Sequence, residues 1–369
     1  AVGRASRCGA LGLSQSSLIE LKQTAVQVIT SQHPRSILLG AQAAQAGLPV
    51  CDHYCGVMPR MQKSLALQRA LFETHGACLF DVTLDCEDGA PVGQELAHAH
   101  AIADLLNTHQ PAKDGLRVGV RFHATQSAGG HFENDARIIL SAAASQVAYV
   151  MVPKVECTED VDLACAVIDT AQASHESGNV FQRRLMPIHV LIESPSAVNQ
   201  VHAIAAHPRV QSVSFGVMDF ISSHGGAIPD SAMTVEGQFS HPLVVRAKLE
   251  IASACHAAGK VPSHCVVTEF KDVEALKGAA KKAGELFGYT RMWSIHPDQI
   301  RPIIDAFAPD ASAVAHAGRV IHAAIAADWA PVAVDNQLHD RASYRYYWHL
   351  IERAHATGVA IPTELQQFF

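Results

Sequence analysis

Short runs of apolar and β-branched residues, each bounded by polar or turn-forming positions, recur along this chain at a steady interval. They predict strands at 48–56 (LPVCDHYCG), 78–85 (CLFDVTLD), 116–123 (LRVGVRFH) and 147–154 (VAYVMVPK), then at 187–194 (PIHVLIES), 210–216 (VQSVSFG), 260–267 (KVPSHCVV) and 291–297 (RMWSIHP). The intervening stretches carry helical spacing and good helix formers, as in RMQKSLALQRALFETHG, ELAHAHAIADLLNTHQ and HPLVVRAKLEIASACHAAG. Several close on a Gly, the residue that most readily adopts the left-handed cap conformation at a helix end.

A strand alternating with a helix eight times is the pattern of an α/β (β/α)8 TIM barrel. The repeating segment, 47–305, has the usual size of roughly 250 residues. Residues 1–46 are then an N-terminal extension, and 306–369 a C-terminal helical segment acting as a lid or in oligomerisation. An open doubly wound sheet is the rival, but no Gly-rich phosphate loop follows any strand; GKVPSH and SAGGH are too sparse.

Composition narrows the class without changing the fold. The 369 residues are 49% hydrophobic and 17% charged with a net charge of −7, which argues against a nucleic-acid binder but leaves room for an anionic small molecule in a locally positive pocket. No apolar run approaches the roughly 18 residues of a membrane span. The nine Cys are odd in number and scattered, several inside apolar runs (Cys78, Cys165, Cys255, Cys265), which suits reduced thiols and a cytoplasmic location. The opening AVGRASRCGALGLSQSS reads as a disordered leader rather than a targeting segment.

The strand ends carry the chemistry. In order they bring Asp85, Glu87 and Asp88, then Arg121 and His123, Lys154, Glu193, Asp219, His264 and His296. Reacting groups of such barrels lie on the face where strands end, so this ring is a site. Glu193 closes an apolar strand and Asp219 follows the next one. Two carboxylates on neighbouring strands suit a hard divalent cation such as Mg²⁺, with Mn²⁺ the alternative; each could instead cap a helix. Glu87 and Asp88 are catalytic candidates placed to hold metal-bound waters or orient a base. Arg121 offers a planar fork to a carboxylate or oxyanion, or pairs with the acid cluster. For Lys154 an ion pair is preferred over a Schiff base, because nearby acids keep the amine protonated. Asp81, mid-strand, reads as a bystander. His123, His264 and His296 read as hydrogen-bonding residues of the barrel. CDHYC (51–55) has no second Cys/His pair and is set aside as a soft-metal site.

At these residues the chain resembles the HpcH/HpaI aldolase and citrate lyase family, in its citrate lyase β-subunit-like branch with the malyl-CoA and citramalyl-CoA lyases. The family's DLEDAV stands here as DCEDGA (85–90) and its vRvN as VRFH (120–123). Its lPKve is VPKVE (152–156), its iEtp motif IESPSAVNQVHAIA (192–205), its fG..D FGVMD (215–219) and its aiHP.QI SIHPDQI (294–300). The resemblance implies a metal-dependent barrel lyase with Mg²⁺ on Glu193 and Asp219, Arg121 on the oxygen of the forming carbonyl and Glu87/Asp88 around the metal waters. Arg121, Lys154 and His296 form the implied substrate-binding set. In the CoA-dependent branch a C-terminal segment from a neighbouring subunit closes the pocket, which implies a homotrimer or hexamer. It makes Asp340, in VDNQLHD (334–340), a candidate proton donor or acceptor; the rival role is a helix cap. Three departures stand out: family members open strand one with Arg in RSxLfvPG, where PVCDHYCG has none, which puts the acyl-CoA contacts in doubt; the family's dG before the Asp340 position is DN here; and the loop after Asp219 is long.

The expected activity is retro-Claisen or aldol cleavage of a 3-hydroxyacyl-CoA, malyl-CoA-like or citramalyl-CoA-like, or of a citryl-type thioester, to an acyl thioester and a 2-oxo acid. The alternatives are an aldolase on free hydroxy-oxo acids, an acyl-CoA thioesterase on the same scaffold, and a subunit that needs a carrier protein. Neither nucleic acid nor a membrane is an expected partner.

Overall fold

The computed structural model describes residues 33–40, 47–175 and 184–369; most of the N-terminal extension, including the leader, lies outside them. The chain divides into two compact units, one of Gly47–Asp310 with Glu352–Ala360, the other of Ala311–Ile351 and Ile361–Phe369 with the N-terminal segment.

The larger unit is a closed barrel of eight parallel strands in sequence order: β1 Cys51–Cys55, β2 Phe80–Asp85, β3 Val118–Arg121, β4 Val150–Val152, β5 Ile188–Ile192, β6 Val210–Phe215, β7 Val261–His264 and β8 Arg291–Ser294. Ladder pairing of β1 with β8 closes it. Every expected strand is present, and each is shorter than its apolar run because the flanking apolar residues belong to turns and helix starts. The connecting helices include α1 Met58–His75, α2 Glu95–His109, α3 Thr158–His175, α4 Pro195–Ala206, α5 Pro242–Ala258, α6 Val273–Phe287 and α7 Pro297–Phe307. Left-handed caps at Gly76 and Gly259 end α1 and α5. The main core, with Phe80, Val82, Val120, Ile188, Val213 and Met292 among its members, lies between the barrel wall and these helices.

Inside the barrel, side chains alternate in layers along the strands. The lowest layer is ionic. Arg291, wholly buried at the start of β8, pairs with Asp52 and Asp81 at 2.8 Å each, and Arg117 Nε reaches Asp81 at 3.0 Å. Thr83 Oγ1 and Tyr149 OH donate to Asp52 Oδ1. Tyr149 stacks on His189, and a side chain at Gly119 would collide with the Tyr149 ring. Asp81 is therefore no bystander; it is half of the counter-charge of a buried cluster. Above this layer sit Tyr54, Met151, Leu191 and Trp293, one step further along their strands.

The strand-one departure lies at this end of the barrel. The position aligned with the family Arg is Pro49, which precedes β1 at the end of the barrel opposite the strand ends, and its carbonyl accepts from Arg291 Nη1 at 2.8 Å. A guanidinium from β8, that of Arg291, occupies that end. The long loop after Asp219 is a built part of the unit. Its Gln238 is wholly buried and donates to the carbonyls of Met233 and Val266.

In the smaller unit, helix α8 Ala311–Ala326, a hairpin of β9 Val332–Val334 with β10 Gln337–His339, and the start of α9 Arg341–Ala356 follow one another. Asp335 and Asn336 turn the hairpin with positive φ, as a tight turn demands. Trp348 is fully buried against His33 and Phe368, and Arg341 holds the carbonyl of Ile37 at 2.6 Å.

Candidate active site

The mouth is built on Asp85, the last residue of β2. Its carboxylate takes both Nε and Nη2 of Arg121 at 2.6 Å and accepts the backbone N–H of Glu87 and of Gly89. One carboxylate thus fixes the guanidinium and shapes the acid loop that follows. Arg121, only 4% exposed, lies over the Tyr54 ring at 5.1 Å with Trp293 beside it. Its Nη1 reaches Glu87 Oε2 at 2.9 Å. Pairing with the acid cluster, one of the two roles foreseen for Arg121, is present.

Glu87 also accepts from Lys154 Nζ at 2.6 Å, and Asp88 stands 3.6 Å from the same amine. Burial works against the Lys154 charge, but the hydrogen bond and charge of Glu87 outweigh it and raise the pKa above the usual lysine range. That agrees with the preference for an ion pair over Schiff-base chemistry. Lys154 has φ +54°, a left-handed backbone that costs a non-glycine residue about 1 kcal/mol or more. The conformation points its N–H at Glu193 Oε2, 2.7 Å away, so this residue is tied at both ends.

Glu193 follows β5 and is 5% exposed. Burial, then the charges of Glu87 and Asp219, push its pKa up to about 8. Asp219, in the short helix Val217–Ser222 after β6, is half-buried. Gly216 between them is required by space: a Cβ there would lie 2.5 Å from Glu193 Cγ and 2.6 Å from Oε1. Five carboxylates (Asp85, Glu87, Asp88, Glu193, Asp219) thus share this end of the barrel with two cations, Arg121 and Lys154. Glu193 and Asp219 fit a hard divalent cation, which takes one or two carboxylates and keeps water or substrate as its other ligands. Among the described residues no three His, Cys, Asp or Glu side chains form a closed cage.

Two cavities flank the acid loop. One, of about 470 Å³, is lined by Glu87, Asp88, His123, Gln126, Lys154 and Glu156 among others. The second, of about 400 Å³, includes His53, Tyr54, Arg60, Lys63, Gly89 and His296. His296 caps α7, its Nδ1 accepting from the N–H of Asp298 at 3.2 Å, and its ring stacks on Phe270. His264 points away from the mouth: it is fully buried beside Phe239 and Tyr289, and burial drives its pKa well below the usual imidazole value. Cys51, His53 and Cys55 of CDHYC are buried, and burial lifts both thiol pKa values. Asp340, in the smaller unit, caps α9 through Oδ1, which accepts from the N–H of Ala342 at 2.9 Å and of Ser343 at 3.3 Å.

Sequence reasoning missed Asp135, which holds His123 from the helical stretch His131–Asp135, and the Tyr54–Trp293 floor beneath Arg121. An acid shortly after a strand-end His was the available signal for the first. Nothing local signalled the second.

A parallel eight-stranded barrel whose ionisable residues crowd the C-terminal ends of its strands defines a barrel enzyme of the α/β class. The chain belongs to the HpcH/HpaI aldolase/citrate lyase family, whose model matches residues 67–297. It is 30% identical over 271 residues, 70% of this chain and 81% of the relative, to the L-malyl-CoA/β-methylmalyl-CoA lyase of Cereibacter sphaeroides. A crystal structure of a citrate lyase from Burkholderia xenovorans LB400 matches with 45% identity and a TM-score of 0.74, covering 92% of this chain and all of the other. The protein CitE of Mycobacterium tuberculosis, solved with magnesium, acetoacetate and coenzyme A, shares the fold at 22% identity with a TM-score of 0.56, covering 84% of this chain and 98% of the other. No helix among the described residues is long and apolar enough to cross a membrane.

Proposed function

We propose that this protein is a Mg²⁺-dependent carbon–carbon lyase cleaving a 3-hydroxyacyl-CoA of the malyl-CoA or citramalyl-CoA type to an acyl thioester and a 2-oxo acid. The observation that carries this reading is the charge imbalance at the mouth, where five carboxylates meet two cations and Gly216 leaves the Glu193 carboxylate room toward Asp219. Carboxylates gathered in a partly dry site need a counter-cation to ionise together. Family membership and the lyase relative support the same chemistry.

Glu193 and Asp219 would hold the cation, with Glu87 and Asp88 placed to bind its waters. A divalent ion there supplies Lewis-acid polarisation of the oxygens of a 2-hydroxy or 2-oxo acid. The chain's own groups do the rest. Arg121, immobilised by Asp85 over the aromatic floor, brings fixed positive charge toward the oxygen that becomes a carbonyl. Burial raises the Glu87 pKa, and Arg121 and Lys154 oppose that rise. Arg60 and Lys63, exposed on the second cavity, offer positive charge to the phosphates of a CoA arm, and His296 also lines that cavity. Asp340 would serve as the proton donor or acceptor at the thioester methyl, its segment reaching a neighbouring subunit's pocket in a homotrimer or hexamer. We place the enzyme in the cytoplasm.

The test is an assay of the purified protein with malyl-CoA and with citramalyl-CoA, each with Mg²⁺ and with EDTA, products identified by mass spectrometry. Metal-dependent release of glyoxylate or pyruvate with acetyl-CoA is the expected result. Free CoA with the intact diacid would replace the lyase with a thioesterase, and inactivity on both thioesters would remove CoA esters as substrates of the isolated chain.

A further inference from the structure

His123 follows β3 by two residues and lines the cavity that holds Glu87, Asp88 and Lys154. Its Nδ1 lies 2.7 Å from Asp135 Oδ2, and the same oxygen accepts the His123 backbone N–H at 2.9 Å. A carboxylate in that position accepts, so Nδ1 carries a hydrogen and Nε2 is left as the working nitrogen. Asp135 is itself 1% exposed, which fixes the ring as a buried acid fixes the imidazole of a catalytic dyad. The His131 ring leans on the other side at 4.9 Å.

Of the other ionisable groups lining this cavity, Glu87 has both oxygens taken by Arg121 and Lys154, Glu156 accepts from Ser194 Oγ, and Lys154 holds its proton. Asp88 is exposed 3.6 Å from Lys154 and, unlike His123, has no buried partner to fix it. Cleavage of a 3-hydroxyacyl thioester nonetheless needs an acceptor for the hydroxyl proton. Resting on the lyase reading above, we propose that His123 is the catalytic base of this site, its Nε2 taking the proton of the substrate hydroxyl while Asp135 positions the ring. The O–H pair becomes the second bond of the new carbonyl, the carbon–carbon bond breaks, and its electron pair passes to the thioester enolate. A proton from Asp340, the donor proposed above, then restores the methyl carbon. The imidazolium hydrogen-bonds the carbonyl oxygen of the oxo acid until it departs, then gives its proton to water, from which Asp340 is reprotonated.

Burial disfavours the His123 charge, but the hydrogen bond and charge of Asp135, with smaller contributions from Glu87 and Glu95, raise its pKa above the ordinary imidazole value. The base therefore works above that pKa, and the rate rises with pH through it. His123→Asn keeps an N–H for Asp135 but cannot titrate. It should lower kcat at least about 100-fold, change KM less than threefold and erase the acidic limb of the pH–kcat profile. Asp135→Asn should move that limb to lower pH, which loss of a purely structural contact would not do. Retention of both rate and limb in His123→Asn, or an unmoved limb in a folded Asp135→Asn, overturns the assignment. Binding of pyruvate with Mg²⁺, followed by calorimetry from pH 5.5 to 8.5, separates this idea from the lyase reading if no thioester is cleaved. Wild-type affinity should weaken as pH rises and His123→Asn should be flat; a pH-independent wild type, or no binding at all, also overturns it.

Discussion

The barrel has an ionic cluster at each end, and the two differ in every respect that matters for chemistry. At the bottom, Asp52 and Asp81 face Arg291 and Arg117: two negative charges, two positive, with the acids and Arg291 sealed from solvent. At the mouth, five carboxylates face two cations beside two cavities, and Glu193 is left with its pKa raised to about 8. Charges that neutralise one another inside a protein are architecture. A surplus held open to solvent is a demand for something to arrive.

That contrast can be broken in order of expected effect. Glu193→Ala and Asp219→Ala should each lower metal-dependent turnover about a thousandfold, the loss of several kcal/mol of charge stabilisation, with the fold intact. Cleavage rates across a Mg²⁺ titration read this, and full activity in either variant removes that residue from the metal site. At the other end the outcome should invert. Arg291→Ala leaves buried Asp52 with no cation and Asp81 with Arg117 alone, and should cost about 3–5 kcal/mol of stability, seen as a lower urea midpoint, while the folded fraction keeps its KM. A changed KM with unchanged stability would show that the two ends communicate.

The smallest effect sharpens the rule with a charge belonging to neither cluster. Lys248 of α5 is fully buried over the Phe239 ring at 3.9 Å, and burial lowers its pKa from 10.5 to about 8. Between those values the unfolded chain binds the extra proton, so stability should rise with pH across that window. The penalty is complete below pH 8. Lys248→Met should raise stability there by about 1–3 kcal/mol, the ring contact offsetting part of the gain, and flatten the slope. Denaturant melts at pH 7 and pH 10 would measure both.

The mouth was legible in the sequence because its charged residues stand at or just past the ends of the strands, where the apolar runs give way, which exposes Asp85, Arg121, Lys154 and Glu193 to reading one by one. The bottom was not. Asp52, Asp81 and Thr83 alternate with apolar neighbours as the polar face of a half-buried strand would, and periodicity cannot tell a face turned to water from one turned into a barrel. Their partner Arg291 opens a strand far along the chain, and only closure of β8 onto β1 brings it to Asp52. His123 with Asp135 failed for the related reason that side-chain pairing leaves no periodic trace.

The layer of Tyr54, Met151, Leu191 and Trp293 has a kinetic meaning. These side chains pack across the bore of the barrel between the two clusters. If the proposed lyase reading holds, both products leave by the end at which the substrate entered, the fragment nearer the rim first. Added acyl thioester should then inhibit in a different pattern from added oxo acid.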